Sequence, residues 1–301
     1  MKRILITGVS GYIAPYLSKA LVVYGDAEVT GVYNSHRLEI EGVEMRKCNL
    51  SDLTALRQLF VSAKPDVVYH LASVTPTRIT TENDKFIENF NSGVTAEIAK
   101  LCNESGALMI YTSTDLVYRT GTVLQEDTSP LEPLTVYAKT KLLGEQSVKE
   151  HAGRYIILRT SLVYGFTLST YTSYFDIVYR SLKNGEPVNA FTDQFRNPIY
   201  TEDAADILLK LPGLYRHNDI INFCGSEYLS RYEMCLMMAE AYGFDKGLIK
   251  KGSSASFDKY PMVAELGLMD DKLKSYGFAT RSFMENLGRA KLLLDLGIQN
   301  P

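Results

Sequence analysis

Residues 4–14 read ILITGVSGYIA. The segment ILIT suits a strand covered on both faces. A turn with Gly8 and Gly11 follows, and an apolar helical pattern, Tyr16–Val23, comes directly after it. Glycines at those two points let the chain turn sharply and bring backbone N–H groups against a pyrophosphate at the positive end of the helix. Ala14 takes the third small position of the glycine fingerprint and still allows close packing of helix on strand. The turn residues Gly8, Ser10, Gly11, Tyr12 and Ile13 are therefore the first candidates for holding a dinucleotide. A tight turn with no ligand is the competing reading, and the strand–turn–helix context weighs against it.

Working outward, the alternation continues. Glu28–Tyr33 reads as a second strand and Val43–Cys48 as a third. Asp52–Ala63 reads as a helix, Asp66–Leu71 as a strand, Glu82–Ser105 as one long helix, and Leu108–Thr112 and Tyr155–Leu158 as further strands. Strands alternating with helices predict an α/β doubly wound parallel sheet of the Rossmann kind. Ligands bind such sheets at the carboxyl ends of the strands, which places Leu71, Ala72, Ser73, Val74 and Thr114 at the site. After the second strand comes Asn34-Ser35-His36-Arg37, with no acid before Glu39. A carboxylate there would grip a ribose 2′-hydroxyl and repel a 2′-phosphate. Asn34, Ser35 and Arg37 instead predict NADP(H), with NAD(H) also admissible. Arg37 reads equally as a solvated loop charge. Asn49 and Leu50 follow the third strand, where adenine would lie.

After Gly165 the strict alternation stops. Tyr171–Leu182 reads as an aromatic-rich helix and Asp219–Cys224 as a strand returning to the sheet. Ser230–Glu233 and Ser282–Glu285 have the spacing of capping boxes that open helices. The expected division is a dinucleotide-binding part, residues 1–168 and 199–228, with a smaller discontinuous C-terminal substrate-binding region, residues 169–198 and 229–301. Lys250–Ala264 is expected to wall the cleft.

The whole chain, 301 residues with a net charge of −3 and 22% charged residues, carries no electrostatic footprint for nucleic acid and no basic membrane face. It has no apolar run of membrane-spanning length and starts directly in a strand pattern, so a cytoplasmic protein is expected. Cys48, Cys102, Cys224 and Cys235 lack metal-ligand spacing and read as buried free thiols, with no metal site expected. A homodimer is possible on the general frequency of such assemblies.

The chemistry is carried by VYAKTKLLGE, residues 136–145. Tyr137 and Lys141 stand four residues apart in a helical segment, so phenol and ammonium share one face. A nearby cation favours phenolate, and the expectation is a Tyr137 pKa lowered toward neutrality.

Together with TSTDLVY (112–118), RTSLVYG (159–165) and DQFRNPIYTEDAADIL (193–208), these blocks resemble the extended short-chain dehydrogenase/reductase family over nearly the whole chain. In detail they are most similar to its dTDP-4-dehydrorhamnose reductase branch, whose relatives include the regulatory β subunit of methionine adenosyltransferase. The resemblance implies that Tyr137 donates a proton to a substrate carbonyl as hydride arrives. It implies that Lys141 tunes that phenol and meets the nicotinamide ribose, and that Thr114 polarises the carbonyl. Asn91 matches the family's helix asparagine, and Ser161 a residue near the nicotinamide carboxamide. Val74, Asp115, Leu162, Gln194 and Arg196 face substrate, with Arg196 either on a diphosphate or a surface arginine. Two departures stand out. Leu116 replaces the tyrosine usual after Thr-Asp, and Leu162 the tryptophan usual after Arg-Thr-Ser, so rhamnose specificity is in question. The implied activity is reduction of a nucleotide-activated 4-keto-deoxysugar. The alternatives are a sugar-nucleotide epimerase or dehydratase, and a non-catalytic NADP-binding regulatory subunit.

Overall fold

A computed structural model describes residues 1–75, 84–169, 171–256 and 262–297. Seven strands make one sheet: β1 (Lys2–Thr7), β2 (Ala27–Tyr33), β3 (Val43–Lys47), β4 (Val67–His70), β5 (Leu108–Thr114), β6 (Tyr155–Thr160) and β7 (Asp219–Phe223). Their spatial order is β7-β6-β5-β4-β1-β2-β3 and every pairing is parallel. The chain runs outward from β1 to β3, then crosses back to place β4 on the other side of β1. That reversal opens a crevice beyond the carboxyl ends of β1 and β4.

Eight longer helices are α1 (Ala14–Tyr24), α2 (Leu53–Ala63), α3 (Thr95–Ser105), α4 (Val136–His151), α5 (Tyr174–Lys183), α6 (Thr201–Lys210), α7 (Arg231–Tyr242) and α8 (Phe283–Asp295). Side chains alternate across a strand, and β1 shows the consequence. Ile4 and Ile6 pack with Leu17 and Leu21 of α1 and with Ile207 and Leu208 of α6. Leu5 faces the opposite layer of Leu59 and Phe60 of α2, Ile98 of α3 and Val148 of α4. Both faces are therefore covered, as continuous apolar strands require. Each fully buried Leu, Ile or Val in these layers contributes about 1.5–3 kcal/mol.

The third core belongs to the later chain and joins Phe166, Phe175, Tyr179, Met234, Met238 and Leu287. The aromatics of α5 and the methionines of α7 are thus packed interior. Capping boxes at Ser230–Glu233 and Ser282–Glu285 close as the spacing predicts. A third, Ser173–Asp176, starts α5 later than expected and leaves Tyr171 outside the helix. The four cysteines are free and buried. Among the described residues, no helix is long and apolar enough to cross a membrane.

One expectation is corrected. The single helix over Glu82–Ser105 is interrupted: Asp84–Glu88 is α-helical, Asn89–Val94 forms π turns, and α3 follows. Its proposed start at Glu82 and residues 257–261 of the cleft wall lie outside the described residues. Asp203 stands in the first turn of α6. Buried in α6, it accepts from Asn286 Nδ2 at 2.8 Å and pairs with Arg281 and Arg289, tying the C-terminal helix to the sheet layer.

Candidate active site

The crevice holds about 950 Å³ and runs from the β1–α1 turn to the short strands of the C-terminal region. At the β1–α1 end Gly8 sits at φ +71°, and a Cβ there would lie 2.8 Å from Ala72 Cα. Only glycine permits that approach of the two strand ends. Ile13 caps α1 without a side-chain hydrogen bond, so no cap side chain covers this helix end. Gly8, Ser10, Gly11, Tyr12 and Ile13 all line this end. A helix N-terminus with glycine clearance before it fits a pyrophosphate.

Next along the wall come Asn34, Ser35 and His36 after β2, and Leu50 after β3. Arg37 is not on the wall: its Nε pairs with Glu39 at 2.6 Å and the side chain is exposed. His36, not Arg37, faces the crevice, its Nδ1 2.8 Å from Ser35 Oγ. Asn49 is also off the wall. Its Oδ1 accepts from Ser51 N at 3.1 Å, shaping the turn into α2. Leu71, Ala72, Ser73 and Val74 line the crevice past β4.

Asn91 is buried beneath that segment rather than on the wall. Its Oδ1 accepts from Val74 N at 2.8 Å and Ser73 Oγ at 3.2 Å. Its Nδ2 donates to Val74 O and to Thr140 Oγ1, both at 3.1 Å. Every amide site is filled. The π turns aim Asn91 at residues 73–74, and the amide then braces that wall against α4.

Thr135 caps α4 by accepting from Ala138 N at 3.1 Å, which starts the helix one residue before Tyr137. Gly144 lets α4 lie close to the sheet, since a Cβ there would stand 2.2 Å from Tyr111 Oη. Tyr137 and Lys141 consequently both reach the crevice, and the Tyr137 hydroxyl meets the hydroxyls of Ser73 and Thr114. The expected lowering of the Tyr137 pKa is not what the arrangement gives. Burial pushes the phenol up to about 12, with the bonds from Ser73 and Thr114 opposing. Burial likewise pulls Lys141 down to about 7, against the pull of Glu145. The Lys141 ammonium lies 4.2 Å over the Tyr111 ring.

One turn beyond Lys141, Glu145 is fully buried and holds Arg159 through two bonds of 3.0 and 2.8 Å while accepting from Ser113 Oγ at 2.6 Å. This set of contacts fixes α4 against β5 and β6, so the phenol and the Thr114 hydroxyl at the end of β5 keep one register. Arg159 is structural here.

At the far end the antiparallel pair Phe195–Arg196 and Leu229–Ser230 brings two arginines together. Arg196 is held by protein: Nη1 donates to Phe195 O and Ala264 O, Nη2 to Val263 O at 2.7 Å, and Nε lies 3.5 Å from Asp115 Oδ2. It braces the wall, and at 5% exposure it is not the surface arginine of the alternative reading. Asp115 also accepts from Ser161 Oγ at 3.3 Å, and burial raises its pKa. Gln194 Oε1 accepts from Arg231 Nε at 3.0 Å, and Leu162 lines the same end. Sequence reading passed over Arg231. The capping box at Ser230 was the visible signal there, and it marked the helix start without marking the arginine after it.

Comparison with known proteins gives a match of residues 1–289 to the family model described as RmlD substrate binding domain. The spore coat polysaccharide biosynthesis protein SpsK of Bacillus subtilis is 26% identical over 95% of this chain and 96% of its own. Methionine adenosyltransferase 2 subunit beta of Xenopus tropicalis is 28% identical over 93% and 84%. Among solved structures, dTDP-4-dehydrorhamnose reductase from Bacillus anthracis in complex with NADP superposes with a TM-score of 0.79 at 20% identity, covering 97% and 99%.

Proposed function

The chain belongs to the RmlD substrate binding domain family of the extended short-chain dehydrogenase/reductases, and from that premise we propose an NADP(H)-dependent reductase of a nucleotide-activated 4-keto-deoxysugar. The observation that carries the reading is the meeting of the Tyr137, Thr114 and Ser73 hydroxyls beside buried Lys141 at the mouth of a glycine-lined crevice. The Gly8–Ile13 turn and Leu71–Val74 would hold a nicotinamide cofactor, which would supply hydride.

The chain's own groups handle the oxygen. Thr114 donates a hydrogen bond to the carbonyl, which draws charge toward the oxygen, and Tyr137 gives it a proton as alkoxide develops. A phenol held near 12 keeps its proton at neutral pH, so it is present as an acid in essentially every molecule. Lys141, one turn along the same face, stands where its charge favours phenolate as the proton leaves. We assign residues 1–168 and 199–228 to cofactor and 169–198 and 229–301 to substrate; a third core drawn mostly from the latter, with Tyr164, Phe166 and Tyr200 joining from the former, supports this division.

Elimination chemistry has weaker support. Asp115 is followed by Leu116, so a second carboxylate beside the hydroxyl is missing from that motif. A regulatory role has one specific support, the similarity to methionine adenosyltransferase 2 subunit beta over 93% of the chain.

The deciding experiment follows NADPH oxidation with dTDP-, UDP-, GDP- and CDP-4-keto-deoxysugars. Turnover with one of them supports the reductase. Tight NADPH binding with no oxidation across the panel would sink it in favour of the regulatory reading.

A further inference from the structure

At the substrate end of the crevice the charges do not balance. Asp115 is the lone carboxylate among the described lining residues, and two guanidinium groups, Arg196 and Arg231, stand beside it. Arg196 already takes up the Asp115 charge and spends its other donors on backbone carbonyls.

Arg231 makes one hydrogen bond, from Nε to Gln194, and lies over the Tyr174 ring at 5.1 Å. Its Nη1 is fully enclosed and has no acceptor. A guanidinium has five N–H donors, so four of them find no partner among the described residues. The small side cavity beneath it, about 20 Å³, is walled by Leu162, Met234, Cys235 and Phe283 and offers room for about one water. A part-enclosed cation without a counter-ion carries a desolvation penalty, which an incoming anion would offset. The apolar wall also strengthens any charge–charge contact made there.

We propose that Arg231 is the oxyanion-reading residue of the substrate end, taking a phosphate or carboxylate through a fork of N–H donors. This inference rests on the sugar-nucleotide reading above. Two parts of such a substrate supply the chemistry: the diphosphate link, or a carboxylate carried on the sugar.

The test titrates the full chain, preloaded with NADP⁺, with dTDP, UDP, GDP and CDP, and with UDP-glucose beside UDP-glucuronate. Wild type is compared with Arg231→Met and Arg231→Lys, and NADPH affinity reports an intact fold. Arg231→Met is expected to lose at least about tenfold in affinity, the scale of a charged hydrogen bond, with Arg231→Lys recovering part of it. Equal loss for the free nucleoside diphosphate and both sugar nucleotides assigns the diphosphate. Loss confined to UDP-glucuronate assigns a sugar carboxylate. Unchanged affinity in Arg231→Met overturns the proposal while leaving the reductase reading standing. Wild-type protein that binds NADPH and none of the nucleotides overturns both.

Discussion

Replacing Lys141 by methionine tests the electrostatics of the crevice directly. Lys141 is 2% exposed, lies over the Tyr111 ring and has its pKa pulled by burial from 10.5 to about 7. At about 1.4 kcal/mol per pH unit, that fall corresponds to a penalty of up to about 5 kcal/mol on the charged form in the folded protein. The sign follows from proton counting. Above pH 10.5 neither state holds the proton and the penalty is absent. Between about 7 and 10.5 the unfolded chain holds a proton that the folded chain lacks, so stability drops as pH falls. Below about 7 both states are protonated and the full penalty is present. Methionine keeps most of the stem and carries no charge. Urea unfolding of both proteins without ligand, at pH 6.5, 7.5, 8.5 and 9.5, should therefore find Lys141→Met more stable by several kcal/mol at pH 6.5. The gain should shrink by about 1.4 kcal/mol per pH unit through the alkaline range. Titration of groups that do not feel the Lys141 charge cancels in the difference. A difference that stays flat with pH, or a variant less stable at pH 6.5, would refute the burial argument.

Three further outcomes are expected. Tyr137→Phe should cut turnover at least about 100-fold, the scale of a lost general acid, with NADPH affinity near wild type; unchanged turnover removes the phenol from the mechanism. His36→Ala should weaken NADPH several-fold more than NADH, because His36 faces the crevice, whereas Arg37→Ala should barely alter either dissociation constant, since Arg37 pairs outward with Glu39. A larger effect from Arg37→Ala would return the 2′-phosphate to that residue. Arg159→Met should cost about 3–5 kcal/mol in chemical denaturation by leaving Glu145 buried and unpaired, and the double variant with Glu145→Met should recover much of it. An additive double variant would contradict the pairing.

The parts of the fold that were legible in the sequence are those that one local pattern determines. The ILIT run, the glycine turn and the apolar helix after it leave one arrangement in which strand and helix both bury their apolar sides, and β1 and α1 follow it. Parallel strands covered on both faces read as continuous apolar runs for the same reason. The π turns of Asn89–Val94 were not legible. The local pattern carries no mark of i→i+5 bonding, and its benefit, an amide aimed at residues 73–74, is a contact across the fold. The start of α5 was missed because its cap is Ser173 with Asp176, where the two boxes that were read end in glutamate.

Within the site, residue types were easier to read than charge states. The Tyr-x-x-x-Lys spacing correctly places phenol and amine on one face of α4, yet helical proximity alone predicts the wrong direction for the phenol. Enclosure is the larger effect, and it acts on every ionisable group nearby in the same sense. It raises Tyr137 and Asp115 and lowers Lys141, so each is driven toward its neutral form. Arginine is the group least able to escape that way. Burial lowers Arg231 only to about 10, which leaves it charged at neutral pH. A crevice that shifts its carboxylate, phenol and amine toward their neutral forms while Arg231 keeps its charge is polarised toward anions at that end. The same low polarity that keeps a proton on Tyr137 would then draw the anionic part of a substrate onto Arg231.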